Sequence, residues 1–208
     1  MPDELILYTN PMSRGRIARW MLEEVGVPYR REILTFGGTI KSPDYLRVNP
    51  MGKVPTLIHG DKVITECAAI CAYMADAFPQ AGLAPPQRER ADYYRWLFFA
   101  AGPLEAAVSN RALGFKVPDD KQVMIGYGRY EDVIDTLDDA LSNRTYIAGS
   151  SFTAADVYLG SHLMWGMHFG SIEKRPAFEA YVGRIHDRPA HLRATELDDA
   201  DMKELEAA

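Results

Sequence analysis

The sequence predicts a small α/β domain over residues 1–80 followed by an all-helical domain over residues 88–208. Three observations carry this. Strand-like and helix-like hydrophobic patterns alternate through the first 80 residues. Pro79 to Gln87 holds three prolines and a glycine, the composition of a stop and a linker. Beyond it the apolar periodicity is helical.

Leu5-Ile6-Leu7-Tyr8 is a short apolar run that ends at the Asn10-Pro11 breaker, so it reads as a first strand. Ile17, Trp20, Met21 and Val25 then recur at helical spacing, and Gly26 with Pro28 supplies the stop. Tyr29 to Leu34 fits a second strand, and Phe36 to Val48 reads as irregular. Val54 to Ile58 and Val63 to Thr65 fit two strands joined by the turn residues His59-Gly60-Asp61-Lys62. Glu66 to Phe78 carries Ala69, Ile70, Tyr73, Met74 and Ala77 on one helical face. The order is β-α-β-β-β-α.

In the second domain, 88–112 reads as one long aromatic-rich helix. Val123, Tyr127, Tyr130, Ile134, Leu137 and Leu141 are spaced as a seam between packed helices. Thr153 with Asp156 forms a capping box, flanked by Phe152 and Val157 as a hydrophobic staple. Phe178, Tyr181, Val182 and Ile185 mark a further helix, and the acidic tail from Leu197 is expected to fray.

The net charge is −6, unevenly placed. Residues 1–80 hold nine basic and nine acidic residues, leaving 14 and 20 for residues 81–208. An acidic second half argues against nucleic acid and against an anionic membrane surface as partners. The neutral first half is the better place for a small anionic ligand. No apolar run approaches the ~18 residues of a membrane span, and the start reads as a strand and not as an export signal, so a cytoplasmic protein is expected. Cys67 and Cys71 have no His or third Cys near them in sequence, so no metal is expected.

Three segments of the first domain could carry chemistry. In Asn10-Pro11-Met12-Ser13-Arg14-Gly15-Arg16, a hydroxyl stands where a helix begins. Free N–H groups and the positive dipole end favour an anion there, and a thiolate is such an anion. In Met51-Gly52-Lys53-Val54-Pro55-Thr56, a proline cannot join the sheet ladder. A cis Val54-Pro55 bond would leave Val54's N–H and C=O open to a ligand's backbone. In Thr65-Glu66-Cys67, a helix N-terminus suits a carboxylate and Glu66 suits an ammonium group. A ligand with a thiol, peptide bonds and a terminal α-amino acid would use all three.

The stretches LYTNPMSRGRIARWMLEEVGVPY, NPMGKVPTLIHGDKVITECAAICAYM and FTAADVYLG, with the Pro-rich linker, resemble the cytosolic glutathione S-transferases. The resemblance covers essentially the whole chain and is nearest to a bacterial form of the serine-type branch, such as the theta and phi classes. It implies a thioredoxin-like first domain, an all-helical second domain and a homodimer. It implies glutathione as co-substrate and conjugation to small hydrophobic electrophiles. Other uses of the same site are disulfide reduction, peroxide reduction, dehalogenation, or a non-catalytic binding module.

By the same resemblance Ser13 is the thiol-activating residue, with Tyr8, Asn10 and Arg14 as alternatives. Val54 takes the cysteinyl backbone, Lys53 the glycine carboxylate, and Glu66 with Cys67 the γ-glutamyl end. Cys67 stands where the family usually has serine. A family histidine falls near Ile40, with Lys41 as its substitute. The electrophile pocket is expected between the Ser13 loop and the helical domain, with Met12, Phe115, Trp165 and His168 as candidates that composition alone does not decide.

Overall fold

The computed structural model describes residues 4–207. The chain forms two units. One runs up to Leu83 and also takes the stretch from Asp187 onward; the other is Ala84–His186.

In the first unit, β1 (Leu5–Thr9), α1 (Gly15–Val25) and β2 (Arg30–Ile33) form a parallel β-α-β crossover. β3 (Thr56–His59) and β4 (Lys62–Ile64) form an antiparallel hairpin, and α3 (Cys67–Ala77) follows. The sheet order is β2-β1-β3-β4, with β1 antiparallel to β3. Leu5 and Leu7 point from β1 to one face, where Ile17, Trp20 and Met21 of α1 and Ile70 and Met74 of α3 are buried. Gly26 closes α1 in the left-handed conformation, its N–H bonded to Leu22 O.

Two expectations for this unit need correction. The stretch read as irregular contains a short helix, α2 (Pro43–Val48). Ser42 caps it with Pro43 in its first turn, so an apparent breaker pair is a helix start. The tail does not fray: α9 (Pro189–Glu206) packs along α1, and Asp198 and Asp201 are buried. Their partners are basic residues of the other chain end. Arg19 Nε lies 3.1 Å from Asp198, Arg19 Nη2 2.5 Å from Asp201, and Arg31 Nε 2.7 Å from Asp201. Charge reading along the chain cannot see such pairs; in space α9 lies with the first unit.

The second unit holds α4 (Ala91–Phe99), α5 (Glu105–Ala112), α6 (Tyr130–Ser142), α7 (Ala154–Phe169) and α8 (Pro176–Ile185). The long helix expected at 88–112 is interrupted by a wide π turn at Ala100–Leu104. Pro103 stands inside that turn and has no N–H for the helical ladder. The expected seam begins only at Tyr130. Before it, Asp119–Met124 is a 3-10 turn that leaves Val123 exposed. From Tyr130 onward, Val133, Ile134, Leu137 and Leu141 are buried as expected. α7 is buried from Ala154 to Ser161 and exposed at His168 and Phe169, and the Thr153–Asp156 capping box is formed at its start. No described helix is long and apolar enough to cross a membrane.

Candidate functional site

Topology brings the three segments to one end of the sheet. β1 ends at Thr9 and pairs Tyr8 with Thr56, the first residue of β3. β4 ends at Ile64, which pairs with Leu57, and α3 begins just beyond it. The 10–16 loop, the 51–55 segment and the start of α3 therefore all leave the same edge.

The Ser13 loop is tightly determined. Asn10 is buried, donates Nδ2 to Leu34 O at 2.7 Å, and accepts from Met12 N at 2.8 Å. Its carbonyl accepts both Ser13 N (3.0 Å) and Ser13 Oγ (2.6 Å). Ser13 Oγ accepts in turn from Gly15 N at 2.9 Å. The hydroxyl is half-buried and fixed at the start of α1, where backbone N–H groups gather. Gly15 is required here: a Cβ on it would stand 1.9 Å from Thr9 Oγ1 and 3.0 Å from Ser13 Oγ.

The rivals for Ser13 are placed differently. Asn10 is engaged by loop and strand. Tyr8 lies on the opposite face of β1 from Leu7 and packs on Tyr45, ring centroids 5.3 Å apart, in a small cluster with Leu34, Ile40 and Val54. The Arg14 carbonyl receives Cys67 Sγ at 3.6 Å, which ties the start of α3 to the Ser13 loop. Cys67 is buried in this contact, and Cys71 beneath it is fully buried, its thiol pushed up by the bond to Cys67 and by burial.

The second segment carries the cis Val54-Pro55 bond. Among the described residues no turn or loop hydrogen bond uses the Val54 N–H or C=O. The Lys53 carbonyl is held from inside by Tyr45 Oη at 2.5 Å and Asn49 Nδ2 at 2.9 Å. Both also reach Thr56 Oγ1, at 2.9 and 3.1 Å. Burial pushes the Tyr45 hydroxyl up, so it stays a neutral donor. Sequence reading missed this Tyr45–Asn49–Thr56 brace, which belongs to the helix taken for a loop. Lys41 reaches over Gly52 and donates Nζ to Met51 O at 2.9 Å, whereas Ile40 is buried.

The third segment turns on Glu66. It is exposed and, among the described residues, is the one non-glycine with positive φ, at 63°. Such a backbone costs on the order of 1–3 kcal/mol and persists where the surroundings impose it, often at ligand sites. Glu66 is the N-cap of the α3 that follows, and its side chain makes no cap hydrogen bond. The first N–H groups of α3 suit a carboxylate.

Several cations of this unit are paired with acids. Arg16, Arg19, Arg30, Arg31, Arg47 and Lys62 each have a described acid partner. Lys41 and Lys53 have none among the described residues. The site therefore offers two uncompensated ammonium groups at the 51–55 segment and an acid with a helix N-terminus at Glu66. That polarity matches a thiol peptide with a carboxylate at one end and an α-amino acid at the other. Among the described residues no group of three His, Cys, Asp or Glu side chains could hold a metal ion.

Residues 3–76 match the glutathione S-transferase N-terminal domain, and residues 103–189 match the C-terminal domain of the same family. Glutathione S-transferase GST-4.5 of Xanthomonas campestris pv. campestris is 30% identical over 192 residues, 86% of this chain and 91% of that protein. A sphingomonad glutathione S-transferase solved with glutathione superposes with TM-score 0.76 at 29% identity, covering 93% of this chain and 98% of that one. A glutathione transferase from Methylococcus capsulatus gives TM-score 0.78 at 28% identity, with 94% and 99% covered. The chain belongs to the glutathione S-transferase family. It is a glutathione transferase with a thioredoxin-like first unit and a helical second one.

Proposed function

We propose that Ser13 activates glutathione as its thiolate for transfer to small hydrophobic electrophiles. The observation that supports this is the Ser13 hydroxyl, held between Asn10 O and Gly15 N at the start of α1. A thiol of ordinary pKa about 8.5 is only ~3% thiolate at pH 7. A donor aimed at the sulfur lowers that pKa. To donate, the Ser13 proton turns about the Cβ–Oγ bond from Asn10 O to the sulfur. It gives up a neutral hydrogen bond of about 1 kcal/mol for one to a charged acceptor of about 1.5–3 kcal/mol. The Gly15 N–H stays on Oγ and polarises it in the right sense.

In this reading Val54 pairs with the cysteinyl backbone, and Lys53 and Lys41 take the glycine carboxylate. Glu66 holds the γ-glutamyl ammonium, and the Cys67 backbone N–H its carboxylate. The thiolate then displaces or adds at an electrophilic carbon, and Ser13 stays bonded to the sulfur until the new bond forms. The proposed assembly is a homodimer, supported by the family likeness and by Tyr94 and Phe98, exposed one turn apart on α4.

The test is the pKa of glutathione bound to the wild type and to Ser13→Ala, read as ultraviolet thiolate absorbance across pH. A bound thiol about two units below free glutathione, returning towards it in Ser13→Ala with affinity nearly unchanged, is expected. A bound thiol unshifted in the wild type would mean a binding module without thiol activation. A shift that survives Ser13→Ala would move the role to a backbone N–H or to Tyr8.

A further inference from the structure

The loop that carries Ser13 is held by a side chain which is itself held by the far end of the chain. Pro11 has no N–H, so its carbonyl is the backbone group by which the loop can be gripped there. Arg16, in the first turn of α1, donates Nε to that carbonyl at 2.6 Å. Its Nη2 donates to Asp199 Oδ1 on α9 at 2.9 Å. The planar guanidinium thus spans two acceptors in one fixed orientation, which a lysine ammonium cannot reproduce.

Asp199 is a firm anchor because α9 is clamped to α1. Arg19, almost fully buried, lies between Asp198 and Asp201, and Arg31 adds a second bond to Asp201. Trp20 packs on His191 with ring centroids 4.5 Å apart, and Arg188 Nε lies 2.6 Å from Glu24. Asp199 itself is more than half exposed, so its ion pair with Arg16 adds little to stability. Its consequence is directional: it fixes which way the guanidinium faces and therefore where Pro11 O sits, two residues before the Ser13 hydroxyl.

We propose that Arg16 is a positioning residue for Ser13, oriented by Asp199, so that the C-terminal helix sets the geometry of the thiol-activating hydroxyl. The inference rests on the Ser13 reading above. Displacement of a reacting group by about 1 Å costs up to ~100-fold in rate, so a loop slackened by part of that distance loses ~10-fold.

The test uses the full-length chain and three variants, Arg16→Lys, Asp199→Asn and their combination. Arg16→Lys is expected to raise the bound thiol pKa by about one unit and lower kcat ~10-fold, with KM for glutathione within ~3-fold. Asp199→Asn is expected to act in the same direction by ~2–3-fold. Because both act through one guanidinium, the double variant is expected to match Arg16→Lys alone. Should Arg16→Lys fail to fold, the exposed Asp199→Asn still decides by the same thiol titration. A wild type with a shifted thiol and variants that keep both its pKa and its kcat overturn the inference alone. Losses confined to KM, or additive in the double variant, overturn it as well. An unshifted thiol in the wild type overturns the Ser13 reading and this inference together.

Discussion

Asp156 is expected to hold the helical unit together, and Asp156→Ala measures how strongly. The carboxylate is buried at the start of α7 and receives four hydrogen bonds. They come from Ile147 N at 2.8 Å, Thr153 N at 2.8 Å, Thr153 Oγ1 at 2.9 Å and Tyr181 Oη at 2.8 Å. Burial pushes the Asp156 carboxyl up, and these donors pull it back. Removing the acceptor leaves three donors, two backbone N–H groups and the Tyr181 hydroxyl, buried without a partner, while Thr153 Oγ1 can turn away. Each orphan costs about 1–3 kcal/mol, and release of the buried carboxylate offsets part of the sum, so about 3–5 kcal/mol is expected. At a urea slope near ~2 kcal/mol/M, the midpoint falls by about 2 M. Urea unfolding followed by far-ultraviolet circular dichroism reads this directly. Tyr181→Phe removes a single donor to the carboxylate and is expected to cost less, about 1.5–3 kcal/mol. A midpoint shift under ~0.5 M for Asp156→Ala would refute the reasoning, because no buried network could be lost so cheaply.

Two further perturbations test the first unit. Gly15→Ala places a Cβ against Thr9 Oγ1 and Ser13 Oγ; a stability loss of about 1–3 kcal/mol and a clear fall in kcat are expected. Adding Thr9→Ala removes the clashing oxygen, which has no hydrogen-bond partner among the described residues, and part of both losses should return; wild-type kcat in Gly15→Ala alone would show that the loop has slack. Asp198 is pushed up to about 7 by burial, against the pull of Arg19. A carboxyl raised in the folded state stabilises fully below its ordinary value near 3.8 and loses that contribution as pH rises through about 7. Stability measured by urea at successive pH values should therefore fall between about pH 4 and 7, by a few kcal/mol at most, and Asp198→Asn should flatten that slope. An identical slope in the variant would assign the dependence to other groups.

The strands, α1 and α3 were legible in sequence because their signals are local: Leu5 and Leu7 alternate, Ile17 to Val25 repeat at helical spacing, and Gly26 ends the helix where only glycine is at ease. The positions of Ser13, Val54 and Glu66 were legible for the same reason, each lying at a junction marked by a breaker or a helix start. What escaped was set by partners distant in the chain. The Tyr45–Asn49 brace of the Lys53 carbonyl needs α2 folded against the loop after it. The break at Ala100–Leu104 had a readable cause in Pro103, but its form as a π turn depends on the packing around it. The 119–129 stretch carried helical spacing without the burial to use it, since Val123 faces solvent.

The tail shows most clearly how a local reading of charge misleads. Residues 1–80 are neutral by count, yet three of their arginines, at 16, 19 and 31, are answered by acids of α9. The acids inside 1–80 answer others, Glu4 with Arg30 and Asp44 with Arg47. Part of the acidic excess of residues 81–208 is therefore an internal counter-charge and not a face turned to a partner. Its effect is selective. Without α9, Arg19 would be a cation on the face that carries Trp20, and a buried guanidinium without its carboxylates is several kcal/mol out of balance. With α9 in place Arg16, Arg19 and Arg31 are paired with acids, while Lys41 and Lys53 beside the 51–55 segment have no acid partner among the described residues. An anionic group approaching the 51–55 segment therefore meets Lys41 and Lys53 without competition from Arg16, Arg19 and Arg31, which are answered from within the chain.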